Sequence, residues 1–523
     1  MTDSKQWKKR MKGMLNWLRG AFRRSGYLLD VPARAIRYFV AKRRGQLRSR
    51  RMARHSLKLP LHAASLALLR RSWKRMTVRT GGQAGARSDR IWQPVVTAGV
   101  EAAAELGELP RPLSKWTPSR EWLEQSIDEV WPIQLPLSGQ DPAQSLPRVL
   151  GASEPFDRDV SPGQAIREPH REGHPSHPSR MQRELERCNE WEERLIDRIV
   201  ERTRRCNRNN RTRTQAYWDF YRRHPEVHWA LLAHMVSRNG GWNMTDLQGG
   251  LIPSLLDEEQ RRETFRFLER ANAFIFGDAY PQLLLYEEGK RAGNDLSYLL
   301  PALQVSRFMT PVWRVFWRER DSALLTVALI VNEQHYIESR VVRYPEIRHK
   351  VLEAPFFKLQ SMLQLNQVVF PYSLHSSEQM KLAGLILEDF RDLQERIEFG
   401  KRLYAMLFRI PEIYGGVIRF ARTVRHTGSR ADYAPQLFTK EQNGKESGGA
   451  LIFSPELSDA WADQPPVQPE EGDWFRSITD VERYFDGLPL PPSFEMTNEY
   501  EFGLHKIEAA ALAADRLDLH MDR

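Results

Sequence analysis

His224-Pro225-Glu226-Val227-His228 sets two imidazoles four residues apart, the spacing that brings two metal ligands to one helical face. In a zinc-protease helix the glutamate follows the first histidine directly. Here Pro225 holds that place and Glu226 is displaced by one, so the pattern is broken. Pro225 is expected at the first position of a helix, where a missing N–H costs nothing, with His228 packed just inside. A second polar group, Asn332-Glu333-Gln334-His335-Tyr336-Ile337-Glu338, abruptly ends the apolar run Leu324–Val331 and suggests the floor of a pocket. Asp278, Tyr280 and Gln282 sit in a similar apolar setting. Glu346-x-x-His349 is half of a di-iron carboxylate motif, but the helical region holds no second half, and no metal site is expected.

Aromatic and polar residues are most concentrated from Tyr217 to Leu247. Gly240 and Gly241 predict a tight reversal there, with the loop Asn239–Asp246 lining the principal cleft and Arg238, Trp242 and Asn243 turned into it or its rim. The candidate ligand-binding set is therefore His228, Arg238, Asn239, Trp242, Asn243, Asp246, Asp278, Asn332, Glu333 and His335. The competing reading is a buried hydrogen-bond network that only fixes helix register. The sequence contains no phosphate loop, dinucleotide loop, nucleophile elbow or kinase signature, and no cofactor is expected. A non-enzymatic binding or scaffold protein is the leading expectation. The alternative is a helical enzyme with a polar cleft built from segments 224–246, 278–282 and 332–338.

These groups must be held by helices. Met181, Leu185, Cys188, Trp191, Leu195 and Ile199 recur at three and four residues, an amphipathic helix. Helical patterns separated by Gly, Asn and Pro turn signals continue to about Arg425, with no convincing alternation of strand type. An all-α, multi-helix body over 181–427 is expected. Ala383, Ile386, Phe390, Leu393, Ile397, Gly400, Tyr404 and Leu407 step by three and four without a break, the seam of a helix pair. That seam serves either an internal partner helix or a homodimer or other protein partner. Residues 428–523 read as a partly irregular tail, draped over the body by isolated aromatics such as Tyr433, Trp461, Trp474 and Tyr484, with a short final helix near Glu499–Leu519. Cys188 and Cys206, too far apart on one helix to bridge, fit a reducing compartment.

Charge divides the chain. Residues 1–100 hold 25 Lys and Arg against Asp3, Asp30 and Asp89, leaving residues 101–523 at −11 within a total of +11. Residues 1–80 form a basic arm. Trp7, Met11, Met14, Leu15, Leu18 and Phe22 share one helical face amid lysines and arginines, a form that lies in membrane interfaces. Residues 1–54 are expected to bind an anionic lipid surface. Nucleic acid is the less favoured partner, and an organelle transit segment or an arm without a partner are further readings. No apolar run approaches the roughly 20 residues needed to span a bilayer. The expected location is the cytoplasm, at the inner membrane face. Residues 81–131 read as helical, and 132–178, with nine prolines in 47 residues, as a disordered linker whose His170, His174 and His177 carry no expected role.

The stretches HPEVHWALLAHMVSRNGGWNMTDL, FLERANAFIFGDAYPQLLLYEE, RDSALLTVALIVNEQHYIESRV and RIEFGKRLYAMLF resemble the uncharacterised YppC-like family of spore-forming bacteria. The resemblance spans about residues 200–475 and includes FSPELSDAWAD and GDWF. It implies a bacterial protein without an export signal, and it brings no catalytic residue, substrate or cofactor. The basic arm and the linker lie outside it.

Overall fold

Side-chain caps set several helix starts. Asn189, Asn209 and Asp257 each accept the N–H of the residue three along, and Glu192, Thr212 and Gln260 return the bond. Asp321 and Asp392 cap two further helices, and Pro411 opens another. The computed structural model describes residues 30–80, 184–345, 351–352, 366–373, 380–442, 451–465 and 472–521. These belong to one compact unit. The 81–131 segment, the linker at 132–178, Trp7 to Phe22 and the Glu346/His349 pair lie outside the described residues.

The protein is mainly helical: α1 (Asp30–Arg54), α2 (Ala63–Thr80), α3 (Glu190–Cys206), α4 (Asn210–Arg223), α5 (His228–Asp246), α6 (Glu258–Ala292), α7 (Met309–Glu319), α8 (Ser322–Ile337), α9 (Leu393–Arg409), α10 (Pro411–Thr423) and α11 (Thr497–Met521). α5 and α8 are central and buried nearly all round, and α4, α6 and α9 pack about them.

Four expectations are corrected. First, no reversal occurs at Asn239-Gly240-Gly241, because α5 runs straight through it. The glycines admit neighbours instead. A Cβ on Gly241 would lie 2.4 Å from Asn210 Oδ1 and 2.6 Å from His426 Nε2. The roughly 1 kcal/mol that glycine costs a helix is offset by the close approach of α4 and the His426 segment. Second, Pro225 does not open a helix. His224 caps the C-terminus of α4, and α5 starts at His228.

Third, the 181–427 body contains a strand pair, β1 (Gln367–Tyr372) and β2 (Lys381–Ile386), antiparallel with Val369 opposite Gly384. Val369, Phe370 and Tyr372 are all buried, so both faces are covered and no alternation marks the strand. Fourth, the seam is not one helix. Ala383 and Ile386 lie on β2, Phe390 precedes α9, and only Leu393 onward is helical. Ile397, Tyr404 and Leu407 are buried within the chain, and a Cβ on Gly400 would meet Ile330 of α8 at 2.9 Å.

The basic segment is also more than an extension. Leu69 and Trp73 of α2 are fully buried, and Trp73 stacks 4.8 Å from Phe308 while donating to its carbonyl at 3.0 Å. Gly45 lets α1 approach the Glu495 carbonyl, at 2.7 Å from where its Cβ would be.

A row of hydrogen bonds crosses the unit from α5 to α1. Asn239 Oδ1 accepts from Val369 N and its Nδ2 donates to Val369 O, both at 2.8 Å, so one side-chain amide substitutes for a third strand beside β1. β1 pairs with β2. Gly384 N then donates to Phe494 O at 2.8 Å, and Met496 N donates to Leu382 O at 2.9 Å. Ser49 Oγ of α1 accepts from Phe494 N and Glu495 N at 3.0 and 2.9 Å.

Adjacent glycines in α10 test how tightly this arrangement packs. A Cβ on Gly416 would meet Tyr372 Cβ at 2.7 Å, whereas one on Gly415 meets nothing within 4 Å. Gly416→Ala is expected to lose about 1–3 kcal/mol, and Gly415→Ala to gain about 0.5–1 kcal/mol as a helix-interior glycine replaced by alanine. Urea unfolding of the two variants checks the opposite signs.

Candidate functional site

Four helices each turn one stripe toward a common cavity of about 280 Å³. α5 contributes Trp229, Ala233, Val236, Gly240 and Asn243, spaced three or four apart. α6 gives Phe267, Ala271 and Ile275, α8 gives Ile330, Glu333 and Ile337, and α9 gives Arg396, Phe399, Gly400 and Leu403. Val368 of β1 and Phe390 also line it. The wall is mostly apolar, with a few polar groups placed on it, the usual make-up of small-molecule sites. A void of about 40 Å³ shares Asp246, Ile252 and Gln367 with this wall and reaches Leu504 and Ile507 of α11.

Besides Asp246, the wall carries the carboxyl of Glu333. It accepts from Trp229 Nε1 at 3.2 Å and from Gln334 Nε2 at 3.3 Å. Glu333 is partly buried and lines the cavity. Burial pushes its pKa up to about 8, against the smaller opposing pull of those two hydrogen bonds. Glu333 is therefore a neutral acid at pH 7 and can donate one hydrogen bond. Arg396, on the same wall, is committed to Gln334, the Phe390 carbonyl and Glu338. Gln367 also lines the cavity, and its buried Oε1 has no hydrogen-bond partner among the described residues.

The sequence-predicted residues separate into four groups. Asn239, Asn243, Asp246 and Glu333 line the cavity. Asp246 is held there by Arg430 at 2.6 Å, and Arg430 also donates to Asn243 at 3.1 Å. Arg238 and Trp242 face away, which corrects their expected inward orientation. The α5 helix continues through them and carries them to its other side. Arg238 donates to His234 at 3.1 Å and to the Val424 carbonyl, and lies over Phe420. Trp242 packs 4.4 Å from the Tyr433 ring.

His228 also stays outside the cavity. Its Nδ1 bonds the Tyr404 hydroxyl at 2.9 Å, its ring stacks on Phe408, and burial lowers its pKa to about 3. Asp278 and Asn332 belong to a separate buried network. Asp278 accepts from Asn332 and from Gln282 at 2.9 Å, Gln282 accepts from Trp313 at 2.8 Å, and Asn332 accepts from Trp474 at 3.0 Å. Burial raises Asp278 to about 7. His335 stacks on Trp474 at 4.3 Å. The proposed cleft from three segments thus divides into a cavity and a hydrogen-bonded network.

The candidate set left out Trp229 and Gln334, although both lie in the expected cleft segments, and sequence reading missed Asn272, Gln367, Arg396 and Phe399 of the wall. For those on helices the signal was the three-four stripe, which looks the same whether it faces a neighbour or a cavity, and Gln367 on β1 had none. Among the described residues, no group of three or more His, Cys, Asp and Glu is placed to hold a metal ion.

Residues 205–501 match the family model described as a protein of unknown function (DUF2515). The chain belongs to this family. It is also 39% identical over 314 residues, 60% of its own length and 92% of the relative's, to the uncharacterized protein YppC of Bacillus subtilis (strain 168). No solved structure matches the chain. The cavity residues fall inside the family match, whereas α1 and α2 lie before it.

Two raised carboxyl pKa values give stability a defined pH slope. Glu333 keeps its proton to about pH 8 when folded, against an ordinary 4.5, and Asp278 to about 7, against 3.8. Their proton-bound folded forms are fully favoured below the unfolded values, and that contribution is lost as pH rises through the folded ones. A single such group removes at most roughly 1.4 kcal/mol of stability for each pH unit climbed between its two values. Glu333→Gln keeps an acceptor for Trp229 and is expected to flatten the loss of stability between pH 5 and pH 8 by that group's share. Urea titrations of both proteins at the two pH values measure it. An unchanged slope contradicts the assignment.

Proposed function

We propose that this protein is a binding protein whose ligand is a small, mainly apolar molecule with a polar end, held in the cavity between α5, α6, α8 and α9. The observation that carries this reading is Glu333, a carboxyl set on a mostly apolar wall and bonded only weakly, at 3.2 and 3.3 Å, to Trp229 and Gln334. A buried carboxyl costs stability even when neutral unless its hydrogen-bonding capacity is used. A ligand carbonyl or hydroxyl beside it would use the proton. Asn243, Asn272 and Gln367 add amide groups around the same space. The volume, about 280 Å³, suits a compact molecule, near the lower end of the roughly 300–1,000 Å³ range of ligand pockets.

Catalysis draws on the same carboxyl, since an acid with a pKa near 8 is suited to proton donation. Among the described residues its hydrogen-bond partners are Trp229 and Gln334, neither a nucleophile nor a base. Binding is the reading the geometry favours.

N-Phenyl-1-naphthylamine, an apolar fluorophore, tests the cavity directly. The native protein is expected to enhance its emission saturably. Ala233→Trp and Ala271→Trp, which fill the space from α5 and α6, are expected to reduce the affinity by roughly tenfold or more, as loss of a pocket's apolar contacts would. Circular dichroism and the thermal midpoint verify that both variants fold. Equal saturable binding by both folded variants, or none by the native protein, overturns the proposal.

A further inference from the structure

Helix α1 packs with half of its circumference. Gly45, Ser49 and Met52 face the body. Lys42 and Arg48, at the edges of that buried half, pair with Glu499 and Glu495. The opposite half has a different composition. Phe39, Val40 and Leu47 are 67%, 44% and 56% exposed, and Arg43, Arg44, Arg50, Arg51 and Arg54 are exposed among them. At 3.6 residues per turn these eight positions fall within an arc of about 140°. None of the five arginines forms an ion pair with a described residue.

Among the described residues, neither class on this arc is buried against the fold. Large apolar side chains left in water gain nothing, and clustered guanidinium groups repel one another. A polyanion alone would satisfy the arginines but not Phe39 and Leu47, since phosphate binding needs charge without apolar contact. An anionic bilayer surface satisfies both. Apolar groups enter the boundary between headgroups and acyl chains, and guanidinium forks bond headgroup phosphates. The arc is wide enough for a helix lying in the surface plane, and no described helix is long and apolar enough to cross a membrane.

We propose that the outward face of α1 docks this protein on an anionic phospholipid bilayer, with Phe39, Val40 and Leu47 inserted and the five arginines at the headgroups. The face lies outside the family match, and it docks the chain without drawing on the cavity.

Flotation of the full chain with vesicles tests the proposal, using phosphatidylglycerol mixed with phosphatidylcholine against phosphatidylcholine alone. Two variants separate the two contributions: Phe39→Asp with Leu47→Asp, and Arg43→Glu with Arg44→Glu and Arg51→Glu. All five positions are exposed, so folding should be retained, and circular dichroism checks it. The native chain is expected to float with the anionic vesicles and not with neutral ones. Each variant should bind at least about tenfold more weakly, with native binding falling as salt rises. Absence of native binding overturns the proposal, as does native-like binding by either folded variant. Preference of the native chain for duplex DNA over anionic vesicles at matched salt also overturns it and assigns the face to nucleic acid.

Discussion

A helix buried on nearly every side must satisfy its own polar side chains, and the architecture around α5 follows from how that is done. Fourteen of its nineteen residues are buried. Asn239 supplies both a donor and an acceptor to Val369, which fixes the height and register of β1 against the helix. β1 fixes β2, and β2 fixes the 494–496 segment through Gly384 and Leu382. Ser49 then receives two N–H groups of that segment. Each bond in this row lies in a buried setting, where an unpaired amide would cost about 1–3 kcal/mol. Helices distant in sequence are thereby held in one register.

The same requirement distributes polar groups on either side of α5. On one side His234 bonds the Thr214 carbonyl at 2.9 Å and receives Arg238, while Asn210 donates to Ser237 O at 2.8 Å and accepts from His426. Burial and the nearby Arg238 charge keep His234 and His426 neutral at physiological pH, their pKa values lowered well below the ordinary value. That side is closed by the 426–433 segment. On the other side the stripe from Trp229 to Asn243 has no helix seated against it at full contact, and the cavity occupies the gap. Gly400 draws α9 close to Ile330 at one edge of this gap. Glu333, projecting from α8, lines this space together with Asn243 and Asp246 of α5.

A contrasting ionic cluster joins α3, α4, α6 and the turn before α5. Glu287 receives Arg223 at 2.7 Å, Arg202 at 3.1 Å and His224 at 3.2 Å, while Glu226 receives Lys290 at 2.7 Å. Burial opposes both carboxylates, yet the hydrogen bonds and neighbouring cations outweigh it and hold both at about 2. These carboxylates remain charged where Glu333 and Asp278 do not. Burial acts on all four, and the presence of cationic partners decides between them.

Local chemistry made much of the helical framework legible in the sequence. Capping boxes at Asn209 and Asp257, the apolar run of α8 and the three-four periodicity from Leu393 onward favour those helices locally, although the same periodicity ran on falsely into β2. Asn239, Asn243, Asp246 and Glu333 could be singled out because polar groups beside apolar runs need partners. What those partners are was decided by tertiary structure. A glycine pair reads the same whether the chain reverses or a neighbour approaches, and only the positions of Asn210 and His426 make Gly241 a point of close packing. A strand covered on both faces has no alternation to reveal it, so β1 and β2 emerge only once α5, α10 and the tail enclose them. Arg238 and Trp242 share a segment with the cavity residues, yet the unbroken helix turns them away, because angular position depends on continuity that residue types do not encode. A stripe at helical spacing specifies a buried face, and the fold alone determines whether that face meets another helix or an empty volume.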